Sequence, residues 1–279
     1  MIVFPNAKIN IGLQVTEKRA DGYHNLDTVF YPIPLKDSLE IVSRNAQSEE
    51  SIADCQLHLL GHQLEGELHD NLVVRAWRML RDAGYDIPSV DVWLYKRIPS
   101  GAGLGGGSAD AAFMLTTLNS MFGLQIGDKE LAAFAGKLGA DCPFFLHNSP
   151  VYAQGTGDIL TPLPLSLKGY RIVVVKPPVF VSTREAFSRV TPKKPEVTLD
   201  KKILLPIEEW KEMITNDFET SVFALHPELQ NIKQKLYDKG ALYAAMSGSG
   251  SALYGLFHLE GYKATEENFP NCFVWEATL

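Results

Sequence analysis

Three cysteines in 279 residues, with no C-x-x-C pair among them, leave little from which to build a disulfide framework or a thiolate metal site. Cys55, Cys142 and Cys272 stand alone and read as free thiols, small core residues of a protein in a reducing compartment. No apolar run approaches the roughly 20 residues that a bilayer-spanning helix requires. The opening Met1-Ile2-Val3-Phe4-Pro5-Asn6 offers no charged stretch ahead of an apolar one. The expectation is therefore a cytoplasmic protein without a membrane partner. Basic residues are in the minority, 26 Lys and Arg against 33 Asp and Glu, for a net charge of −7. They are scattered apart from short runs such as Lys193-Lys194 and Lys201-Lys202, so a surface that tracks a nucleic-acid backbone is not expected. No acidic cluster announces a protein-built metal cage, and no internal repeat or low-complexity tract interrupts the chain. What is abundant is apolar residues, 46% of the sequence, enough for one large domain or two ordinary ones.

Against that background one segment is unusual. Residues 99–112 read Pro99-Ser100-Gly101-Ala102-Gly103-Leu104-Gly105-Gly106-Gly107-Ser108-Ala109-Asp110-Ala111-Ala112. Val90, Val92 and Leu94 alternate with Asp91, Trp93 and Tyr95 ahead of it, the period of a half-buried strand. Ala111, Leu115, Leu118 and Phe122 follow at helical spacing, so a helix opens at Ser108 and Ala109 with its positive end toward the glycines. A glycine run leaves backbone amides open to a bulky anion, and the loop reads as a phosphate site. No Gly-Lys-Ser/Thr closes it, which excludes a Walker-type loop. Gly101 to Gly106 does fit G-x-G-x-x-G, but no acidic residue about 20 positions on ends a second strand, as dinucleotide binding would require. A flexible linker or a tight turn is the competing reading of the same letters.

Elsewhere, Ala7, Ile9, Ile11, Leu13 and Val15 alternate with Lys8, Asn10, Gly12 and Gln14, so a lysine and an asparagine project side by side from one strand. A turn at Ala20–His24 returns the chain through a strand at 26–33. Helices are expected at 72–83 and 131–138, each ended by a glycine, and near 217–224 and 227–238. Further strands are expected at 150–154, 171–175, 242–246 and 253–257, and 191–202 is the most linker-like stretch. The pattern argues for α+β rather than a doubly wound parallel sheet. Asp141, before Cys142-Pro143, reads by itself as a helix N-cap, and Lys8 by itself as a lysine on a solvent face.

Ala7-Lys8-Ile9-Asn10, the segment Pro99 to Ala112 and Ala245-Met246-Ser247-Gly248-Ser249-Gly250 resemble, in order and spacing, the three motifs of the GHMP small-molecule kinase superfamily. Asp21-Gly22-Tyr23-His24 and Gly139-Ala140-Asp141-Cys142-Pro143-Phe144-Phe145 resemble the branch that phosphorylates a cytidine-diphosphate-linked methylerythritol. One departure is visible, since Ser108 is followed by Ala109 where many relatives carry a second serine. The resemblance implies an α+β, two-lobed GHMP kinase fold with a ribosomal-protein-S5-like N-terminal lobe, residues 1–160, and a ferredoxin-like C-terminal lobe, residues 161–279. It implies ATP and Mg²⁺ as cofactors and places both ligands in a cleft between the lobes. Asp141 would accept the hydroxyl proton and Lys8 would stabilise developing negative charge. Pro99 to Ala109 would hold the phosphates, Ser108 adding its hydroxyl. Tyr23 and Phe187 would stack on cytosine, His24 would bond its edge, and Asn10 would orient the acceptor or Asp141. Asn71, Leu72 and Lys96 would border the adenine, and Ser247–Gly250 would close the pocket.

Overall fold

The alternation at 90–96 is a strand in the computed structural model, which describes residues 1–44, 54–62, 66–262 and 266–279. Val90, Val92 and Leu94 are buried, whereas Asp91 and Trp93 are only partly so. That strand, β6 (Val90–Lys96), lies inside a sheet of order β1-β4-β6-β5, with β1 at Ile2–Val3, β4 at Ser38–Ser43 and β5 at Cys55–Gly61. β4 runs antiparallel to β6, Ile41 opposite Val92, and β5 runs parallel to it, Leu57 opposite Val92. Helices α1 (Leu72–Asp82), α2 (Gly106–Met121), α3 (Asp128–Leu138) and α4 (Cys142–His147) supply the rest of this core, where Val73, Trp77, Leu80, Met114, Leu118 and Phe134 join Leu39, Ile41 and Val92. Apolar residues three and four apart, Val73, Ala76, Trp77 and Leu80, give α1 one buried stripe, whereas α2 is buried on consecutive positions from Ala109 to Ala112 among the other helices.

These elements form one compact unit, Met1–Ala7, Leu35–Ser100 and Gly105–Asn148; the other is Lys8–Pro34, Gly101–Leu104 and Ser149–Leu279. The units interleave in sequence, and the glycine run contributes to both. The second unit holds a sheet of order β2-β3-β7-β8, from β2 (Asn6–Lys18), β3 (His24–Lys36), β7 (Val151–Gln154) and β8 (Ile159–Pro162). It also holds a fully antiparallel sheet of order β10-β11-β9-β12, from β9 (Tyr170–Lys176), β10 (Tyr243–Met246), β11 (Leu253–His258) and β12 (Phe273–Thr278). Counted along the chain that is 2-3-1-4, the ferredoxin-like order. Short helices α5 (Thr183–Phe187), α6 (Leu199–Lys202) and α7 (Trp210–Met213) precede α8 (Phe218–Leu225) and α9 (Pro227–Asp238). Phe218, Val222, Leu229 and Leu236 of α8 and α9 pack on Val173, Val175, Ala244, Met246 and Leu253 of the antiparallel sheet.

The stretch expected to be most linker-like is tied down. Lys193 N donates to Val15 O at 2.9 Å, and Leu199 opens α6 fully buried.

Candidate functional site

In the second unit the first half of the glycine loop is strapped to its surroundings. Three consecutive carbonyls are held: Ala102 O accepts from Ala252 N at 3.1 Å, Gly103 O from Ser247 Oγ at 2.8 Å and Leu104 O from Lys8 N at 2.9 Å. Ala102 and Leu104 are buried. A flexible linker carries no such ties, so that reading of the glycines fails. Gly101 and Gly103 have φ of +59° and +74°, the left-handed region that glycine enters without strain. At 103 the close approach is stricter still, because a Cβ there would lie 1.9 Å from Ser247 O.

In the first unit the loop turns into α2. Gly105, at φ +71°, is the N-cap, and the helix begins at Gly106, two residues before the position the apolar spacing indicates. Glycine has no side chain to register in such a pattern. The amides of Gly106, Gly107 and Ser108 are in the first turn, where helix geometry gives an N–H no intrahelical acceptor, and the macrodipole is positive there. Ser108 hydrogen-bonds Cys142, and a Cβ on Gly139 would meet both Cys142 Sγ and Ser108 Oγ, at 3.4 and 3.9 Å. The helix start and the Gly139–Cys142 turn are therefore neighbours within one unit. Asp141 stands at the N-cap position of α4, half-buried, and its side chain makes no capping bond, so the capping role that sequence context suggests for the carboxylate is not the one it plays. Burial pushes the Cys142 thiol up to about 11, partly offset by the Ser108 bond, and the Cys55 thiol up to about 12, as expected of inert core cysteines.

Behind α2 lies a group that the sequence did not disclose. Lys96 is buried, and its Nζ donates to Asp37 Oδ2 and, at 2.6 Å, to Asp110 Oδ2. Asp37 Oδ1 accepts from the amides of Arg97 and Ile98, which fixes the chain as it leaves β6. Lys96 is thus part of an internal ion triad, and the expectation that it borders a nucleotide base is not what its environment favours. A Cβ on Gly106 would lie 2.8 Å from Ile98 Cγ2 and 3.4 Å from Lys96 Nζ, so glycine at this position also serves the packing beneath the loop. Burial raises the Asp110 carboxyl to about 7 despite the pull of Lys96, and Asp37 adds to the rise. Burial opposes the Lys96 charge too, but Asp110 and Asp37 hold its pKa above the ordinary value. Asp110 Oδ1 is buried without a hydrogen-bond partner among the described residues.

Between the usual carboxylate range and pH 7 the folded chain binds the Asp110 proton that the unfolded chain has lost, so wild-type stability falls across that window. Asp110→Asn removes the titration. Relative to wild type it is expected to gain on the order of 2 kcal/mol between pH 5 and pH 8. Urea denaturation at the two pH values measures this, and a constant difference would mean that Asp110 is ionised throughout.

In the second unit again, Lys8 and Asn10 project from β2 side by side, as the alternation requires, but into the interior. Each is only 3% exposed, so Lys8 is not on a solvent face. Lys8 Nζ donates to Asn10 Oδ1 and lies 4.8 Å from the centre of the Phe30 ring; Asn10 Nδ2 donates to Thr28 Oγ1 at 2.9 Å. The alternation misleads here because β2 is covered on both faces from Asn6 to Leu13.

At the β2–β3 turn, Tyr23 is 67% exposed, and its N–H donates to Asp21 Oδ1 at 3.1 Å. The His24 ring stacks on Phe187 at 4.7 Å and 25°, and Phe187 meets Phe218 edge-on. The structure thus brings together two of the three aromatic side chains and leaves Tyr23 in solvent. Pro99 is half-buried and Ser100 exposed. Asn71 caps α1, its Oδ1 accepting from Val73 N at 3.0 Å. Among the described residues no group of three or more His, Cys, Asp or Glu side chains is placed to hold a metal ion, and no helix is long and apolar enough to cross a membrane.

Residues 71–149 match the GHMP kinases N terminal domain, and residues 204–270 match GHMP kinases C terminal. A 4-diphosphocytidyl-2-C-methyl-D-erythritol kinase of Bacteroides fragilis is 54% identical over 279 residues, covering all of both chains. A crystal structure of 4-(cytidine 5'-diphospho)-2C-methyl-D-erythritol kinase superposes with a TM-score of 0.82 at 33% identity, covering 99% of this chain and 98% of that one. A homoserine kinase from Cytophaga hutchinsonii, 17% identical with a TM-score of 0.61 over 98% of this chain and 94% of its own, shares the fold alone. The chain belongs to the GHMP kinases, in the family of the 4-diphosphocytidyl-2-C-methyl-D-erythritol kinases, and it has the α+β fold of that superfamily.

Proposed function

We propose that this protein transfers the γ-phosphate of ATP to the 2-hydroxyl of 4-diphosphocytidyl-2-C-methyl-D-erythritol in the non-mevalonate route to isoprenoid precursors, giving the 2-phosphate and ADP. The observation that carries the reading is full-length identity of 54% to a relative of that name. The two family matches fall on either side of residue 160, which supports lobes at 1–160 and 161–279 as the functional division.

Phosphoryl transfer passes through a loose, highly charged transition state, so the protein contributes mainly position, charge and a proton acceptor. Asp141 takes the proton as the hydroxyl oxygen bonds to the γ-phosphorus and the bond to the β-phosphate oxygen breaks. Lys8, held by Asn10, offers its ammonium to the negative charge that develops. The loop from Pro99 to Ala109 holds the phosphates, by the amides of α2's first turn and the Ser108 hydroxyl. Mg²⁺ travels with ATP, and because no cluster of three ligating side chains is present among the described residues, no residue here is assigned to it. The substrate is small, and the site is expected to work in the cytoplasm.

Tyr23, His24 and Phe187 form the cytosine subsite. Tyr23 is the sharpest test because its exposed ring does little for the fold. Base stacking is worth about 1–3 kcal/mol, so Tyr23→Ala is expected to raise KM for the cytidine substrate roughly tenfold or more while leaving KM for ATP and the melting temperature in place. Equal effects on both substrates would remove the stacking role.

The activity itself is tested by coupled ADP release with ATP, Mg²⁺ and 4-diphosphocytidyl-2-C-methyl-D-erythritol, beside homoserine and mevalonate as competing acceptors. Turnover with the cytidine compound alone is expected. Turnover with another acceptor would keep the kinase and discard the cytosine subsite.

A further inference from the structure

Ser247 stands where three segments of the second unit meet. Its Oγ donates to Gly103 O at 2.8 Å and accepts from Asn10 N at 3.2 Å, and the residue is fully buried. The segment that carries it is braced from behind. Asn216 Nδ2 donates to Met246 O and to Gly248 O, both at 2.8 Å, while Asn216 Oδ1 accepts from Phe218 N at 3.0 Å. Glu219 Oε1 accepts from Met246 N at 2.9 Å, and its Oε2 takes the Lys233 ammonium at 2.6 Å. Tyr254 OH donates to Asn10 O at 2.8 Å from the neighbouring strand β11. A single hydroxyl, set in a buried polar network, therefore bridges the strand of Lys8 and Asn10 to the glycine loop. Such networks are stiff when every member is satisfied, and losing one member orphans its partners.

The bridge sits at the middle of the three strapped carbonyls. Ala252 N holds the residue before it and Lys8 N the residue after it. With its carbonyl tied, a planar peptide unit cannot turn about the chain, so the facing direction of its N–H is fixed as well.

We propose that Ser247 is a positioning residue for phosphoryl transfer, tying the phosphate-binding loop at Gly103 to the strand that carries Lys8 and Asn10 so that loop and ammonium keep one spacing. Ser247 acts through Gly103 and Asn10. The inference rests on the reading of the loop as the ATP phosphate site and of Lys8 as the cation of the transition state.

Ser247→Ala leaves Gly103 O and Asn10 N without a buried partner, and the loop relaxes. A misplacement of about 1 Å costs on the order of a hundredfold in rate. The variant is therefore expected to lose about ten- to a hundredfold in kcat, with KM for the acceptor within about threefold of wild type and Kd for a non-hydrolysable ATP analogue weakened by less than kcat falls, since no new atom forces the loop aside as a Cβ at Gly103 would. A role in folding alone would lower the melting temperature and leave kcat per folded molecule unchanged, and that result overturns the proposal. Should circular dichroism show the alanine variant unfolded, Ser247→Cys keeps the packing with a weaker donor. It should show the same loss, greater in kcat than in ATP affinity and smaller in size, and wild-type kcat in that variant would overturn the proposal. Failure of the underlying reading looks different, as absent turnover in the wild type or an ATP affinity insensitive to substitution at Gly103.

Discussion

Asp141→Asn is expected to turn over about a thousandfold more slowly than wild type, within the range that a positioned proton acceptor supplies, while it binds an ATP analogue with near-native affinity. The substitution keeps the size and shape of the side chain. Asp141 makes no side-chain capping bond at the start of α4, and the helix has Pro143 in its first turn to set the backbone, so the charge is not needed to cap the helix. The first turn of α2 is expected to be undisturbed, because Ser108 hydrogen-bonds Cys142 and the isosteric change leaves that bond in place. Single-turnover rates beside analogue binding separate the two effects. If the Asn enzyme runs near the wild-type rate, the hydroxyl proton leaves by another path. If rate and ATP affinity fall together, Asp141 is holding the loop in place.

That experiment concerns a residue whose role the sequence suggests only through resemblance, and the reason is general. Local patterns report local structure. The strands at 90–96 and 170–176 and the helices at 72–82, 128–138 and 227–238 follow from periodicity and from glycine or proline at the ends, whereas the ferredoxin-like lobe is implied only by the resemblance. Pairing across distance leaves no such trace. Asp37 is a lone aspartate between two strands until Lys96, 59 residues away, draws it into a buried ion triad with Asp110. Asn216 lies ahead of a helix and gives no sign that it holds the carbonyls of Met246 and Gly248. Lys8 looks solvated because one strand's alternation cannot reveal that its polar face is covered too. The interleaving of the two units escapes sequence reading for the same reason, since it depends on where the chain returns. The glycine run was the most legible feature because its chemistry is carried by backbone, and glycine is how a sequence exposes backbone.

Gly103→Ala tests that last point most severely. The new Cβ would lie 1.9 Å from Ser247 O and 2.8 Å from its carbonyl carbon, both backbone atoms that no side-chain rotation can move, and φ at this residue is +74°. The loop must shift, and the amides on its ligand side shift with it. Hydrogen bonds to charged groups are worth about 1.5–3 kcal/mol each, so losing one or two of them should weaken ATP binding by roughly a hundredfold. Gly107→Ala is the counterpart. Its Cβ would meet only Leu72 Cδ1, at an ordinary 3.9 Å, and its φ is not positive, so the fold itself accepts alanine. A loss of ATP affinity at 107 with an unchanged melting temperature would therefore report crowding from the ligand side. If 103 is sensitive and 107 is not, the phosphates approach the loop ahead of α2. If both are sensitive, the triphosphate lies across the loop and the first turn of the helix. If ATP affinity is unchanged in both variants, phosphates do not bind here, and the assignment of this loop falls with them.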